Sequence, residues 1–126
     1  MCGFVGHTAL MKVLVVDDEP LIRLGLVSLV GDWGYEALEA VDAADAIFHL
    51  ERNEIAFVIT DVDMPGSMDG IALARYIARR WPPIKLIVVS GKVSLNETDL
   101  PVGARFIAKP YRDDVLLAAV QELQGR

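Results

Sequence analysis

Four short apolar runs each lead into residues able to do chemistry. Val13-Leu-Val-Val16 is followed by Asp17, Asp18 and Glu19, Phe57-Val-Ile-Thr60 by Asp61, Leu86-Ile-Val-Val89 by Ser90, and Phe106-Ile-Ala108 by Lys109. Adjacent carboxylates at a buried edge repel and raise one another's pKa unless a cation neutralises them. With no His or Cys beside them, an all-oxygen set points to Mg2+ or Mn2+ rather than zinc. A metal held by one or two carboxylates plus phosphate oxygens is the usual arrangement for phosphoryl transfer. In that chemistry Lys109 neutralises another phosphate oxygen and the Ser90 hydroxyl donates to a third. Asp61, alone at the end of its run, is the natural carboxylate nucleophile.

Such chemistry requires the ends of the four runs to meet. Short, β-branched, almost continuously apolar runs read as strands covered on both faces, as in a parallel sheet. Tyr35-Glu-Ala-Leu-Glu-Ala40 alternates polar and apolar residues and reads as an edge strand with one wetter face. Between the strands lie helical patterns. Pro20 suits the first turn of a helix running to about Gly31. Asp42 can cap a helix from Ala43 to about Arg52, with Asp45 favouring its positive end. Asp69 can cap Gly70 to Arg80, where Leu73 and Ile77 recur on one face, before Pro82-Pro83 stops it. Arg112 to Gln124 repeats the pattern with Leu116, Val120 and Leu123 on one side. Gly91 to Gly103 leaves room for a turn or two of helix at most. The order β-α-β-α-β-α-β-(short α)-β-α predicts an α/β fold, a doubly wound parallel sheet with helices on both faces. In such sheets the ligand site lies beyond the carboxyl ends of the strands, where Asp17, Asp18, Asp61, Ser90 and Lys109 all fall.

Composition bounds the function. The chain of 126 residues is 53% hydrophobic, which suits one ordered domain with a single core. Its net charge of −6, with 12 basic against 18 acidic side chains, disfavours broad contact with nucleic acid or anionic membranes. No apolar run approaches the roughly 18 residues of a membrane helix, and the first ten residues lack the basic start of a secretory signal. Cys2 is the only cysteine, so no internal disulfide forms and a reducing, cytoplasmic setting is expected. His7 and His49 have no partner at ligand spacing. Trp33, Tyr35, Phe48 and Trp81 read as packing residues, and Arg75, Arg79 and Arg80 as a solvated helix face.

Val13-Leu-Val-Val-Asp-Asp-Glu-Pro20, Val58-Ile-Thr-Asp-Val-Asp-Met-Pro65 with Met68-Asp-Gly70, Val88-Val-Ser-Gly91 and Gly103-Ala-Arg-Phe-Ile-Ala-Lys-Pro110 resemble the motif blocks of response regulator receiver domains of two-component signalling, in the right order. The resemblance spans Met11 to the last helix, leaving residues 1–10 as an N-terminal extension and 11–126 as the receiver unit, with Met11 an alternative start. It implies a five-stranded, flavodoxin-like sheet ordered 2-1-3-4-5 and a phosphohistidine donor on a sensor histidine kinase or histidine phosphotransfer protein. It makes Asp61 the phosphoacceptor, with Asp18, Asp61 and the backbone carbonyl of Asp63 as metal ligands and Asp17 acting through water. Ser90 matches the switch hydroxyl and Phe106 the switch aromatic, and Lys109–Pro110 stands where the family often has a cis peptide.

The match has departures. The loop Met64-Pro-Gly-Ser-Met-Asp-Gly70 is one residue longer than usual, Asp63 adds an acid beside the acceptor, and the shorter Ser90–Lys109 segment implies a shortened fourth helix. Two other functions compete. One is a receiver-like interaction module independent of phosphate. The other is a metal-dependent phosphatase, since Asp61-Val-Asp63 resembles the Asp-x-Asp pair of haloacid dehalogenase-type enzymes; Pro65 and the short chain speak against it. With no effector domain in the sequence, the expected output is a protein contact or a phosphorelay step by a monomer or weak homodimer.

Overall fold

The computed structural model describes residues 10–66, 68–91 and 99–125. Five strands, β1 (Lys12–Val16), β2 (Glu36–Ala40), β3 (Phe57–Asp61), β4 (Lys85–Ser90) and β5 (Arg105–Ala108), alternate with α1 (Pro20–Asp32), α2 (Ala43–Arg52), α3 (Gly70–Arg80) and, after β5, α4 (Asp113–Gln124). The strands form one parallel sheet in the order β2-β1-β3-β4-β5. The expected doubly wound α/β architecture is therefore present. The expected short helix after Ser90 falls mainly on residues 92–98, and the N-terminal extension on residues 1–9; both lie outside the described residues.

Right-handed crossovers fix where the helices go. The chain steps one way from β1 to β2, then the opposite way to β3 and β4, so α1 must lie on one face and α2 and α3 on the other. The core divides accordingly. Leu14, Val16, Val58, Leu86 and Val88 pack with Ala46 and Leu50 of α2 and Leu73 and Ile77 of α3. Their neighbours one residue along, Val13, Val15, Phe57, Ile59, Ile87 and Val89, pack with Leu26 and Val30 of α1 and Leu116, Val120 and Leu123 of α4. β1, β3 and β4 thus bury both faces, which is why their sequences are almost continuously apolar. β2 lies at the edge and exposes Glu36 and Glu39.

Local chemistry sets the helix ends. α1 runs to Asp32, slightly beyond the expected Gly31, because its stop signal is Gly34. That residue, at φ 95°, lets the Gly34 and Tyr35 N–H groups turn back to the Gly31 and Val30 carbonyls. At α2 the Asp42 carboxylate accepts the Asp45 N–H at 2.8 Å, while Asp45 accepts the Val41 N–H at 3.0 Å. Asp69 caps α3 by accepting the Ala72 N–H at 2.9 Å. The last helix starts at Asp113, with Arg112 in extended geometry as its N-cap. Replacing Asp42 with Ala removes the side-chain acceptor of the Asp45 N–H at the α2 start. The expected loss is about 1 kcal/mol, seen as a lower urea midpoint with an unchanged slope.

Candidate phosphoryl and metal site

The parallel ladder continues one residue past several strand ends. The Asp17 N–H donates to the Ala40 carbonyl at 3.1 Å, Val62 N–H to Val89 at 3.1 Å, and Lys109 N–H to Ser90 at 2.8 Å. Backbone hydrogen bonds therefore hold the rim residues in place before any side chain interacts. On that scaffold the Lys109 ammonium meets Asp61 Oδ1 at 3.0 Å. Carboxylate oxygens of Asp17, Asp18 and Asp61 lie within 4.8 Å of one another. Asp17 is 2% exposed and Asp61 7%, whereas Asp18 faces solvent.

Of the other expected site residues, Ser90 is buried as the last residue of β4, in register with Ala108 of β5. Phe106, in register with Val88, is half-buried against the core that α2 and α3 cover. Asp63 is exposed, and its side chain stands outside the carboxylate cluster; the role expected of it involves its backbone carbonyl. The Lys109–Pro110 peptide is cis.

The charges are unbalanced. Three carboxylates face one ammonium, so two formal negative charges are left when all are ionised, a deficit that one divalent cation would cancel. Burial pushes the Asp17 carboxyl above the usual aspartate range, and the charges of Asp61 and Asp18 push the same way; the Glu19 N–H at 2.9 Å and the Lys109 charge offset this only in part. For Lys109, burial works against the ammonium, but the hydrogen bond and charge of Asp61, followed by the charge of Asp17, outweigh it and raise its pKa above the ordinary lysine value. All-oxygen donors, an uncompensated charge and one exposed ligand suit Mg2+ or Mn2+.

Some contributors were not evident as site residues in the sequence. Gly70 begins α3 directly against the acceptor strand: a Cβ there would overlap the Asp61 carbonyl oxygen and lie 2.8 Å from Val62 Cα. Its N–H donates to the Val62 carbonyl at 2.9 Å. The buried Thr60 hydroxyl donates to the same Asp61 carbonyl at 2.9 Å. Tyr111 sits close enough to feel the charges of Lys109 and Asp17, although burial is the main cause of its raised pKa. Only Gly70 had a signal, its place in Met68-Asp-Gly70.

A doubly wound sheet whose carboxyl-end rim gathers an acidic pair, a lone aspartate, a serine and a lysine defines a class of protein. Residues 13–121 match the model of the response regulator receiver domain, and the chain belongs to that family. Members act as signalling switches rather than as enzymes of external substrates. The chain is 35% identical to the sensor kinase CckA of Brucella abortus over 116 residues, covering 88% of this chain and 12% of that protein. Among solved structures, a CheY-like receiver domain protein from Methanospirillum hungatei aligns with a TM-score of 0.84 at 27% identity, over 93% of this chain and 96% of that one. TrrA of Thermotoga maritima, solved in complex with Mg(2+)-BeF, aligns with a TM-score of 0.79 at 27% identity, over 90% and 98%. The chain spans about a quarter or less of the length of the curated relatives it matches.

Two outcomes follow from the geometry. Gly70→Ala should cost about 1–3 kcal/mol in urea unfolding, because its Cβ meets backbone rather than a movable side chain. Asp17→Asn should stabilise the metal-free protein, since the amide can keep the Glu19 hydrogen bond without the buried charge. The sign fixes the pH window. The folded-state pKa is raised, so the native state is penalised as pH climbs from the unfolded value of 3.8 through the folded one. Wild type and variant should therefore differ least in acid, and the variant's advantage should grow to a plateau above that window.

Proposed function

We propose that the chain accepts a phosphoryl group on Asp61 from a phosphohistidine on a sensor histidine kinase or histidine phosphotransfer protein. It then acts as a phosphorylation-controlled switch through protein contacts or phosphorelay. The observation that carries this reading is the Lys109 ammonium 3.0 Å from Asp61 Oδ1 beside the Asp17–Asp18–Asp61 carboxylates. The P–O bond to Asp61 forms as the donor's P–N bond breaks, with that electron pair left on the imidazole nitrogen.

Each residue then has a task. Lys109, already paired with Asp61, follows the charge onto a phosphoryl oxygen. The Ser90 hydroxyl donates to another oxygen, and Phe106 responds to the movement of Ser90. Asp18, Asp61 and the Asp63 carbonyl would hold Mg2+ or Mn2+, with Asp17 acting through water. When bound, the metal screens the repulsion between the acceptor carboxylate and the incoming phosphoryl oxygens. The Mg(2+)-BeF complex of TrrA supports this choice of cation. Transfer to and from its own aspartate is the only reaction assigned to the chain. Residues 11–126 form the receiver unit in this reading, preceded by the extension over residues 1–10. A cytoplasmic setting suits its single cysteine, and among the described residues no helix is long and apolar enough to cross a membrane.

Incubation with Mg2+ and a small acyl phosphate should add one phosphoryl group by intact mass. Asp61→Asn, or omission of Mg2+, should abolish the addition. A wild type that neither gains mass nor binds Mg2+ would instead be a phosphate-independent interaction module.

A further inference from the structure

Arg23 lies near the start of α1, with its own N–H bonded to the Glu19 carbonyl at 2.9 Å. Its guanidinium joins the residue that follows β1 to β2. Nη1 donates to the Asp17 carbonyl at 2.9 Å, and Nε donates to Glu39 Oε1, also at 2.9 Å. The Arg23 side chain is 15% exposed against 42% for Glu39, so the fork is largely shielded and its counter-ion reaches it from the β2 edge. Glu39 is in register with Val15, two residues before Asp17.

Three hydrogen bonds consequently define Asp17. Its N–H is held by Ala40, its carboxylate by the Glu19 N–H, and its carbonyl by Arg23. The first two use backbone partners that any sequence would supply; the third depends on one side chain. The Asp17 carbonyl belongs to the peptide plane that joins Asp17 to Asp18. Holding that plane restrains the backbone from which the two carboxylates project, and these lie within 4.8 Å of each other and of Asp61. A planar guanidinium can serve both acceptors at once, which an ammonium does less well. Glu39 supplies the opposite charge, so Arg23 acts as a brace rather than as a cation competing for the acidic rim.

We propose that Arg23 is a positioning residue for the metal-binding carboxylates: by bridging the Asp17 carbonyl and Glu39 it orients Asp17 and Asp18 and so sets the divalent-cation affinity of the rim. This rests on reading the rim as a Mg2+ or Mn2+ site. Groups that orient metal ligands without touching the metal typically contribute 10- to 100-fold in affinity.

The test is a Mn2+ titration of the metal-free protein, with free Mn2+ followed by electron paramagnetic resonance and thermal unfolding recorded in parallel. Arg23→Gln should weaken Mn2+ binding by about 10-fold or more, Arg23→Lys less, and Glu39→Gln by a smaller but measurable factor. Tyr35→Phe provides the control, because it removes a hydrogen bond to Gln124 and leaves Arg23 and the rim carboxylates in place. That variant should keep wild-type affinity whatever stability it loses. Binding by Arg23→Gln within about twofold of wild type would overturn the proposal, as would an equal loss in Tyr35→Phe. Should Arg23→Gln fail to fold, Glu39→Gln decides: weaker binding supports the brace and unchanged binding removes it. A wild type that binds no Mn2+ overturns the metal-site reading along with the brace, a result visible before any variant is compared.

Discussion

Like charges held together at a buried rim are the constraint on which this molecule turns. Left to themselves, the Asp17, Asp18 and Asp61 carboxylates would move apart, and the desolvation of Asp17 adds to the cost of keeping them. Asp17 and Asp61 stay because their main chains anchor them. The ladder extends past β1 to Asp17, Asp61 ends a strand buried along its whole length, and Gly70 lets α3 close against the Asp61 backbone. The two apolar layers on either face of the sheet supply the stabilisation that offsets the repulsion.

The same constraint suggests how a local event reaches the surface. Lys109 pairs with Asp61, and its own N–H is bonded to the Ser90 carbonyl. Ser90 and Phe106 lie on adjacent strands, two registered positions apart, so a group added at Asp61 acts on a contiguous piece of β4 and β5. A phosphoryl group would bring further negative charge to a rim where, among the described residues, three carboxylates already face the one Lys109 ammonium.

The strands were legible because burial on both faces leaves an uninterrupted apolar run, and the rim followed from the parallel order. Asp17, Asp18, Asp61, Ser90 and Lys109 could be brought to one edge by counting strand ends alone. Residues acting through backbone carbonyls were harder to see. Arg23 finds its acceptors in Asp17 and in Glu39, 16 residues away on a different strand, and no local pattern announces either contact. Thr60 read as one more β-branched strand residue, although its hydroxyl holds the acceptor's own carbonyl. α1 ends at Asp32, one residue past the expected Gly31, because Gly31 is a helical glycine and Gly34 carries the positive φ that ends the helix. Asp17 shows that bland and functional readings need not exclude each other, for it accepts the Glu19 N–H as a turn residue and belongs to the acidic cluster as well.

In the proposed reaction Asp61, rather than any neighbouring acid, takes the phosphoryl group. Protein phosphorylated from a phosphohistidine donor in Mg2+ can be trapped by borohydride, which reduces an aspartyl phosphate to homoserine, and then mapped by peptide mass. Homoserine is expected at position 61 and intact aspartate at 17, 18 and 63. Reduction at one of those positions instead, or phosphate retained on His7 or His49, would contradict it.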